Sequence, residues 1–234
     1  MPSARAAVLS LDAYGTLFAG GSDAFVALVR REAAARALDA DALLARREDL
    51  VRRHDAARAP LLRDRDRRIL RDLFGPAFDV EPALDALAIA YRTVEVYPDA
   101  RRLLASLPGR VRWGVVSNAD DDVMRALLDE HGLRPHFLVT SGKVGAAKPH
   151  PDIWRAVVKE TRVPAERILH AGDSWVADVE GAKRAGLLAA WVRRPGGLPR
   201  PAVSPVEPDL VVDDLTRLAS VLGGDGTPTR GGGE

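Results

Sequence analysis

Six short apolar runs alternate with longer amphipathic segments, and that alternation restricts this chain to a narrow set of folds. The runs span residues 6–11, 111–116, 137–139, 168–171, 188–192 and 210–212. Each is too short for an ordinary helix and reads as a buried strand. Helical patterns lie between them, over about residues 99–107, 121–130, 151–161, 176–185 and 215–222. Strands alternating with helices predict an α/β fold with a doubly wound parallel sheet. Such sheets place ligands beyond the carboxyl ends of their strands.

Residues from about 20 to 95 interrupt the alternation. Their spacing predicts four helices, over about 22–38, 41–58, 62–74 and 82–94, with no strand signal between them. Phe18-Ala19-Gly20-Gly21 reads as a flexible connection into this block. The expected organisation is therefore an α/β core over 1–19 and 96–222 and a small all-helical insert over 20–95. Residues 223–234 are Gly-rich and lack core residues, which predicts a disordered tail.

Composition removes several function classes. Net charge is +1, so no bulk positive field favours nucleic acid. Cysteine is absent, which excludes a thiol nucleophile, a disulfide and a thiolate metal site. No apolar run reaches membrane-spanning length, and Met1-Pro2-Ser3-Ala4-Arg5 carries no signal-peptide pattern. A cytoplasmic protein without membrane or nucleic-acid partners is expected.

Polar groups cluster where the predicted strands end: Asp12, Ser117-Asn118, Lys148, and Asp173 with Asp178. The first run delivers Asp12 to the sheet edge, and Gly15 lets the backbone turn tightly beside it. Two or three carboxylates can hold Mg²⁺, which prefers oxygen ligands. A lysine, a hydroxyl and backbone N–H groups can hold a tetrahedral anion. A carboxylate at a sharp turn can serve as a nucleophile. Together these describe phosphoryl transfer, in which positioning and charge neutralisation supply most of the catalysis.

The chain resembles the haloacid dehalogenase (HAD) superfamily over nearly its whole length. Asp12-Ala13-Tyr14-Gly15-Thr16-Leu17 is similar to the family's first motif and Ser117-Asn118 to its second. Lys148-Pro149 is similar to the third, and Gly172-Asp173-Ser174 with Asp178 and Gly181-Ala182 to the fourth. The helical insert lies where the superfamily carries a small cap domain. The resemblance implies that Asp12 is the nucleophile, that Thr16 and Ser117 orient it or the bound anion, and that Lys148 balances negative charge. Asn118 completes the second motif. It further implies Mg²⁺ held by Asp12, Asp173 and the Tyr14 carbonyl, with Asp178 a direct or water-mediated ligand.

Two motifs point in different directions. In family phosphatases the residue two after the nucleophile is an Asp that acts as general acid and base; here it is Tyr14. A phenol with an ordinary pKa of about 10 is a poor base at neutral pH. The Asp-Ala-Tyr-Gly-Thr string resembles the 2-haloacid dehalogenases, which expel halide and need no proton. The fourth motif is phosphatase-like, because the dehalogenases lack the metal-binding acid that Asp173 provides. Where they tend to carry a Tyr six residues after the motif-three Lys, this chain has Trp154. The phosphonatase branch uses a cap lysine, and residues 20–95 contain none.

The favoured reading is a Mg²⁺-dependent phosphatase acting on a small anionic substrate, a phosphate ester or acyl phosphate. Tyr14, His54, Asp55 or a good leaving group would then replace the missing acid. A 2-haloacid dehalogenase-like hydrolase is the alternative, and a non-enzymatic metal- and phosphate-binding protein the third. Other residues receive plainer readings. His131 is a helix-end charge or cap, His170 a hydrogen-bonded core residue, and Trp113 and Trp191 are core. Trp175 packs or rims the cleft. Arg193 and Arg194 reach an anionic substrate or are solvated. Residues 63–68 (Arg-Asp-Arg-Asp-Arg-Arg) form a solvated, salt-bridged helix face rather than a basic patch facing substrate.

Overall fold

The fold was obtained as a computed structural model that describes residues 6–53, 61–107, 109, 111–195 and 197–222. Six parallel strands form one sheet: β1 (Val8–Leu11), β4 (Arg112–Ser117), β5 (Phe137–Thr140), β6 (Ile168–Gly172), β7 (Leu188–Val192) and β8 (Leu210–Val212), in the order β5-β4-β1-β6-β7-β8. β1 sits where the strand order reverses. Leu11 pairs with Val115 on one side and Ala171 on the other, so the residues after β1, β4 and β6 converge on one crevice.

Strand alternation explains the two-sided core. Val8 packs with Trp154, Val157 and Val179 on one face, while Leu9 and Leu11 face the other cluster. All four residues of β1 are buried, as expected of a central strand in a sheet covered on both faces.

Three helices follow the expected spans: α3 (Leu62–Phe74), α6 (Asp121–Glu130) and α8 (Pro151–Thr161). α5 (Pro98–Ser106) is displaced by one residue at each end. The first helix of the insert, α1 (Gly21–Ala35), stops earlier than its apolar spacing suggests, and Ala37 then takes a left-handed φ of 52°. α2 covers Ala40–Arg53; the predicted extension to Arg58, with His54 and Asp55, lies outside the described residues. So does the predicted tail, 223–234.

The expectation of an insert without strands is corrected at its edges. Phe18–Ala19 form β2 and Glu95–Val96 form β3, and the two pair antiparallel. α4 (Glu81–Ala90) ends early to allow this. Two-residue strands carry no readable periodicity, so the ribbon left no sequence signal. The ribbon closes the loop of four helices where it leaves and rejoins the sheet.

Three other local structures differ from expectation. A short helix, α7 (Ser141–Val144), follows β5, started by the Thr140 hydroxyl accepting from the Lys143 N–H. The segment expected as one helix over 176–185 is a π-helical turn, Trp175–Glu180, followed by α9 (Gly181–Arg184). The closing segment Leu215–Val221 is a 3-10 helix. No helix among the described residues is long and apolar enough to cross a membrane.

Candidate active site

The crevice beyond β1, β4 and β6 contains a cavity of about 50 Å³. Asp12, Tyr14, Ser117, Asn118, Lys148, Asp173 and Asp178 all line it. Of the site residues that the family resemblance implies, Thr16 alone does not. Its side chain is fully buried, and its hydroxyl has no hydrogen-bond partner.

Asp12 is held at the end of β1 by its N–H donating to Ala171 O at 2.9 Å. The backbone then reverses: Leu17 N and Phe18 N both donate to Ala13 O, and Gly15 adopts φ 85°, a conformation that favours glycine. Arg194 braces the outside of this turn. Its Nη2 donates to Thr16 O at 3.0 Å, its Nη1 to Asp99 Oδ2 at 2.8 Å, and its guanidinium lies 3.8 Å from the centre of the Tyr97 ring. Arg194 is therefore neither solvated nor directed at substrate, and its partners are too distant in sequence for spacing to reveal them.

Lys148 is the hub of the site. Its Nζ donates to Asp12 Oδ1 at 2.5 Å, Asp178 Oδ1 at 2.6 Å and Val116 O at 3.0 Å. Asn118 fixes its backbone through two bonds, Nδ2 to Lys148 O at 2.9 Å and Lys148 N to Oδ1 at 2.6 Å. Asn118 is thus a positioning residue for Lys148. Burial opposes the ammonium charge, but Asp12 and Asp178 more than offset it and raise the Lys148 pKa.

Asp178 is saturated. Besides Lys148, its Oδ1 meets His170 Nε2 at 3.1 Å and its Oδ2 accepts from Ser174 N at 3.0 Å. Burial works against its ionisation, yet Lys148 and His170 outweigh it and hold the carboxyl well below the ordinary range. An ionised carboxylate only accepts, so His170 Nε2 carries the proton and Nδ1 accepts from Ser10 Oγ at 2.8 Å. Burial lowers the His170 pKa and keeps the ring neutral. His170 is a hydrogen-bonded core residue as expected, and it also orients Asp178. Gly172 is required beneath: a Cβ there would lie 2.2 Å from Asp178 Cγ.

Asp173 contrasts with Asp178. Among the described residues no hydrogen bond or ion pair engages its carboxylate, though the residue is only 5% exposed. Burial first, then Asp12 and Asp178, push its pKa well above the ordinary value. Asp12 is raised to about 6, by burial and Asp178 against the opposing pull of Lys148. Ligand atoms of Asp12, Asp173 and Asp178 lie within 4.8 Å of one another. Three carboxylates therefore share one ammonium, and burial together with their crowding resists ionisation of Asp12 and Asp173. A divalent cation on oxygen ligands fits this donor set.

Tyr14 is a poor proton carrier here. Burial and then the Asp12 charge raise its pKa above even the ordinary phenol value. Its hydroxyl donates to Tyr91 O at 3.2 Å, the two rings lie 5.0 Å apart, and Tyr91 donates to Asp66 Oδ2 at 2.7 Å. Ser117 Oγ is buried without a hydrogen-bond partner at the cavity wall.

The helical insert contributes two cations that spacing did not single out. Arg47 on α2 and Arg65 on α3 both line the cavity. Arg47 pairs with the fully buried Glu48, whose Oε2 also accepts from Ser174 Oγ at 3.1 Å and Val176 N at 3.2 Å. The charged run on α3 therefore divides. Arg63 and Arg67 pair with Glu81 at the surface, whereas Arg65 turns inward against the buried Asp66. The remaining residues are mostly structural. His131 caps α6 but reaches across to Val94 O at 2.9 Å, and Trp175 packs edge-on against Trp191.

Comparison with known proteins agrees with this geometry. The sequence model of the haloacid dehalogenase-like hydrolases matches residues 7–186. A phosphoserine phosphatase of Thermus thermophilus is 34% identical over 64% of this chain, which spans 62% of that relative. A (S)-2-haloacid dehalogenase of Xanthobacter autotrophicus is 34% identical over 49% of this chain, which spans 45% of that protein. Among solved structures, an L-2-haloacid dehalogenase of the same organism aligns with a TM-score of 0.67 at 25% identity, covering 92% of this chain and 98% of that one. A magnesium-bound HAD-hydrolase of Bacillus subtilis aligns at 0.64 with 20% identity, covering 93% and 99%, and shows likeness of fold.

Proposed function

The chain belongs to the haloacid dehalogenase-like hydrolase family, and on that premise we propose that it is a Mg²⁺-dependent phosphatase of a small phosphate ester or acyl phosphate. One observation carries this reading: Asp173, a buried carboxylate with no protein partner among the described residues, set beside Asp12 and Asp178. Asp12, Asp173 and the Tyr14 carbonyl would hold the ion, with Asp178 reaching it through water because its own oxygens are occupied. Bound there, Mg²⁺ supplies charge neutralisation for a phosphoryl group and its attacking carboxylate.

The protein's own groups divide the remaining work. Asp12 attacks phosphorus, a phosphorus–oxygen bond forms, and the bond to the leaving oxygen breaks with its electron pair. Water then cleaves the aspartyl phosphate. Lys148 keeps Asp12 aimed and offsets charge on the phosphoryl oxygens. The Ser117 hydroxyl, buried at the cavity wall without a hydrogen-bond partner among the described residues, would bond one of those oxygens. No carboxylate stands where Tyr14 does, which favours a leaving group that departs as an anion. Residues 20–95 would act as a cap over the 1–19 and 96–222 core, bringing Arg47 and Arg65 to the substrate.

Phosphate release from phosphate esters and acyl phosphates, with Mg²⁺ and then with EDTA, tests the proposal. Release that needs Mg²⁺ and disappears in Asp12→Asn is the expected result; no release from any substrate refutes it. Tyr14 and the dehalogenase relatives favour one second reading, hydrolysis of a 2-halocarboxylate through an Asp12 ester. Halide release in EDTA would identify it.

A further inference from the structure

A second cavity, of about 70 Å³, opens beside the first, between α3, α4 and the start of α6. Leu62, Leu84, Leu87, Ala88, Tyr91 and Val123 wall it. Leu62 and Tyr91 also line the cavity that holds Asp12, so the two spaces share a wall.

The charged neighbours of this second space are largely committed elsewhere. Arg63 bonds Glu81 and Asp85, and Asp66 bonds Arg65 and Tyr91. Asp120 takes a hydrogen bond from the Leu62 backbone, and the exposed Arg92 lies at the rim. Lys148, Ser117 and the three carboxylates line only the first cavity. One space therefore suits a phosphoryl group and the next suits hydrocarbon.

We propose that the second cavity receives the apolar body of the leaving group, so that the substrate is an acyl or aryl phosphate with a hydrocarbon portion. This rests on the phosphatase reading above. It is consistent with the chemistry at Tyr14, because an acyl or aryl oxygen accepts the electron pair of the breaking phosphorus–oxygen bond without prior protonation. Leu62, Leu84, Leu87, Ala88 and Val123 supply hydrocarbon contact to such a body, and Asp120 Oδ1, buried without a hydrogen-bond partner among the described residues, leaves room for one polar group beside it.

Calorimetric affinities for methyl-, butyl- and hexylphosphonate in the presence of Mg²⁺ test the subsite without turnover. Affinity should rise about fourfold per added methylene, the transfer gain for burying each carbon. Ala88→Trp, which fills the cavity, should bring hexylphosphonate down to the methylphosphonate level; Val123→Trp does the same from the α6 side. A flat series, an unchanged series in both variants, or no phosphonate binding overturns the proposal. Phosphate release from acetyl phosphate in the same preparations reports separately on catalysis. A graded series without phosphate release from any phosphate ester or acyl phosphate keeps the subsite and sinks the phosphatase reading.

Discussion

Removing the charge of Asp12 should stabilise the metal-free protein while abolishing the phosphate release proposed for it. Asp12 has its pKa raised from 3.8 to about 6 by burial and by Asp178, net of the help from Lys148. At ~1.4 kcal/mol per pH unit, its ionised form costs the fold about 3 kcal/mol at neutral pH. The sign follows from proton counts. Below pH 3.8 the folded and unfolded chains both hold the proton, and there is no cost. Between 3.8 and about 6 the unfolded chain releases it while the folded chain retains it, so stability falls as pH rises. Above about 6 the cost is constant. Asp12→Asn, a neutral near-isostere, should therefore gain about 2–3 kcal/mol at pH 7.5 and about 1 kcal/mol at pH 4.5. For a domain of this size that is a rise of roughly 4–10 °C in Tm. Urea unfolding of both proteins in EDTA at the two pH values measures it. A variant no more stable than the parent at pH 7.5, or equally stabilised at pH 4.5, would refute the assignment of Asp12 as a strained carboxylate.

Other perturbations probe the supports of the site. Asp173→Ala should weaken Mg²⁺ binding at least tenfold by calorimetry, and unchanged affinity would remove Asp173 from the ion's ligands. Gly172→Ala should destabilise by about 2–4 kcal/mol in denaturant unfolding, since the added Cβ meets Asp178 Cγ at 2.2 Å; a neutral outcome would mean that Asp178 moves aside freely. Glu48→Ala should cost about 3–5 kcal/mol, because it strands the buried Arg47 and unbinds Ser174 and Val176. Limited proteolysis should then cut the α1–α4 segment sooner, and unaltered stability and protection would show that this contact holds nothing.

Most of the sheet and the polar cluster were legible in the sequence for a simple reason. In a doubly wound sheet the strand ends converge, so residues that end apolar runs meet even when far apart in the chain. Asp12, Ser117 and Asp173 were readable on that rule, whereas Lys148 lies beyond α7, past the end of β5, and was readable from the Lys148-Pro149 motif. What escaped depends on contacts that no spacing encodes. His170 was legible as a hydrogen-bonded core residue, but that its ring bridges Ser10 and orients Asp178 was not. Glu48 and Arg47 sit in a helix full of charged residues, where only tertiary contact separates the buried pair from the solvated ones. Arg65 differs from Arg63 and Arg67 in the same way. The β2–β3 ribbon was too short to show a period.

The bond between Glu48 and the turn after β6 has a thermodynamic corollary. The Glu48 carboxylate on α2 holds Ser174, which adjoins Asp173, and Val176, three residues after it. Two equilibria, the seating of the helical segment and the ordering of the acidic turn, therefore share one joint and cannot shift independently. Linkage makes the effect mutual: a cation that rigidifies the turn holds the segment shut, and a molecule that draws the segment down tightens the grip on the cation by the same factor. Affinity measured for either one alone will understate what the protein achieves when both are bound.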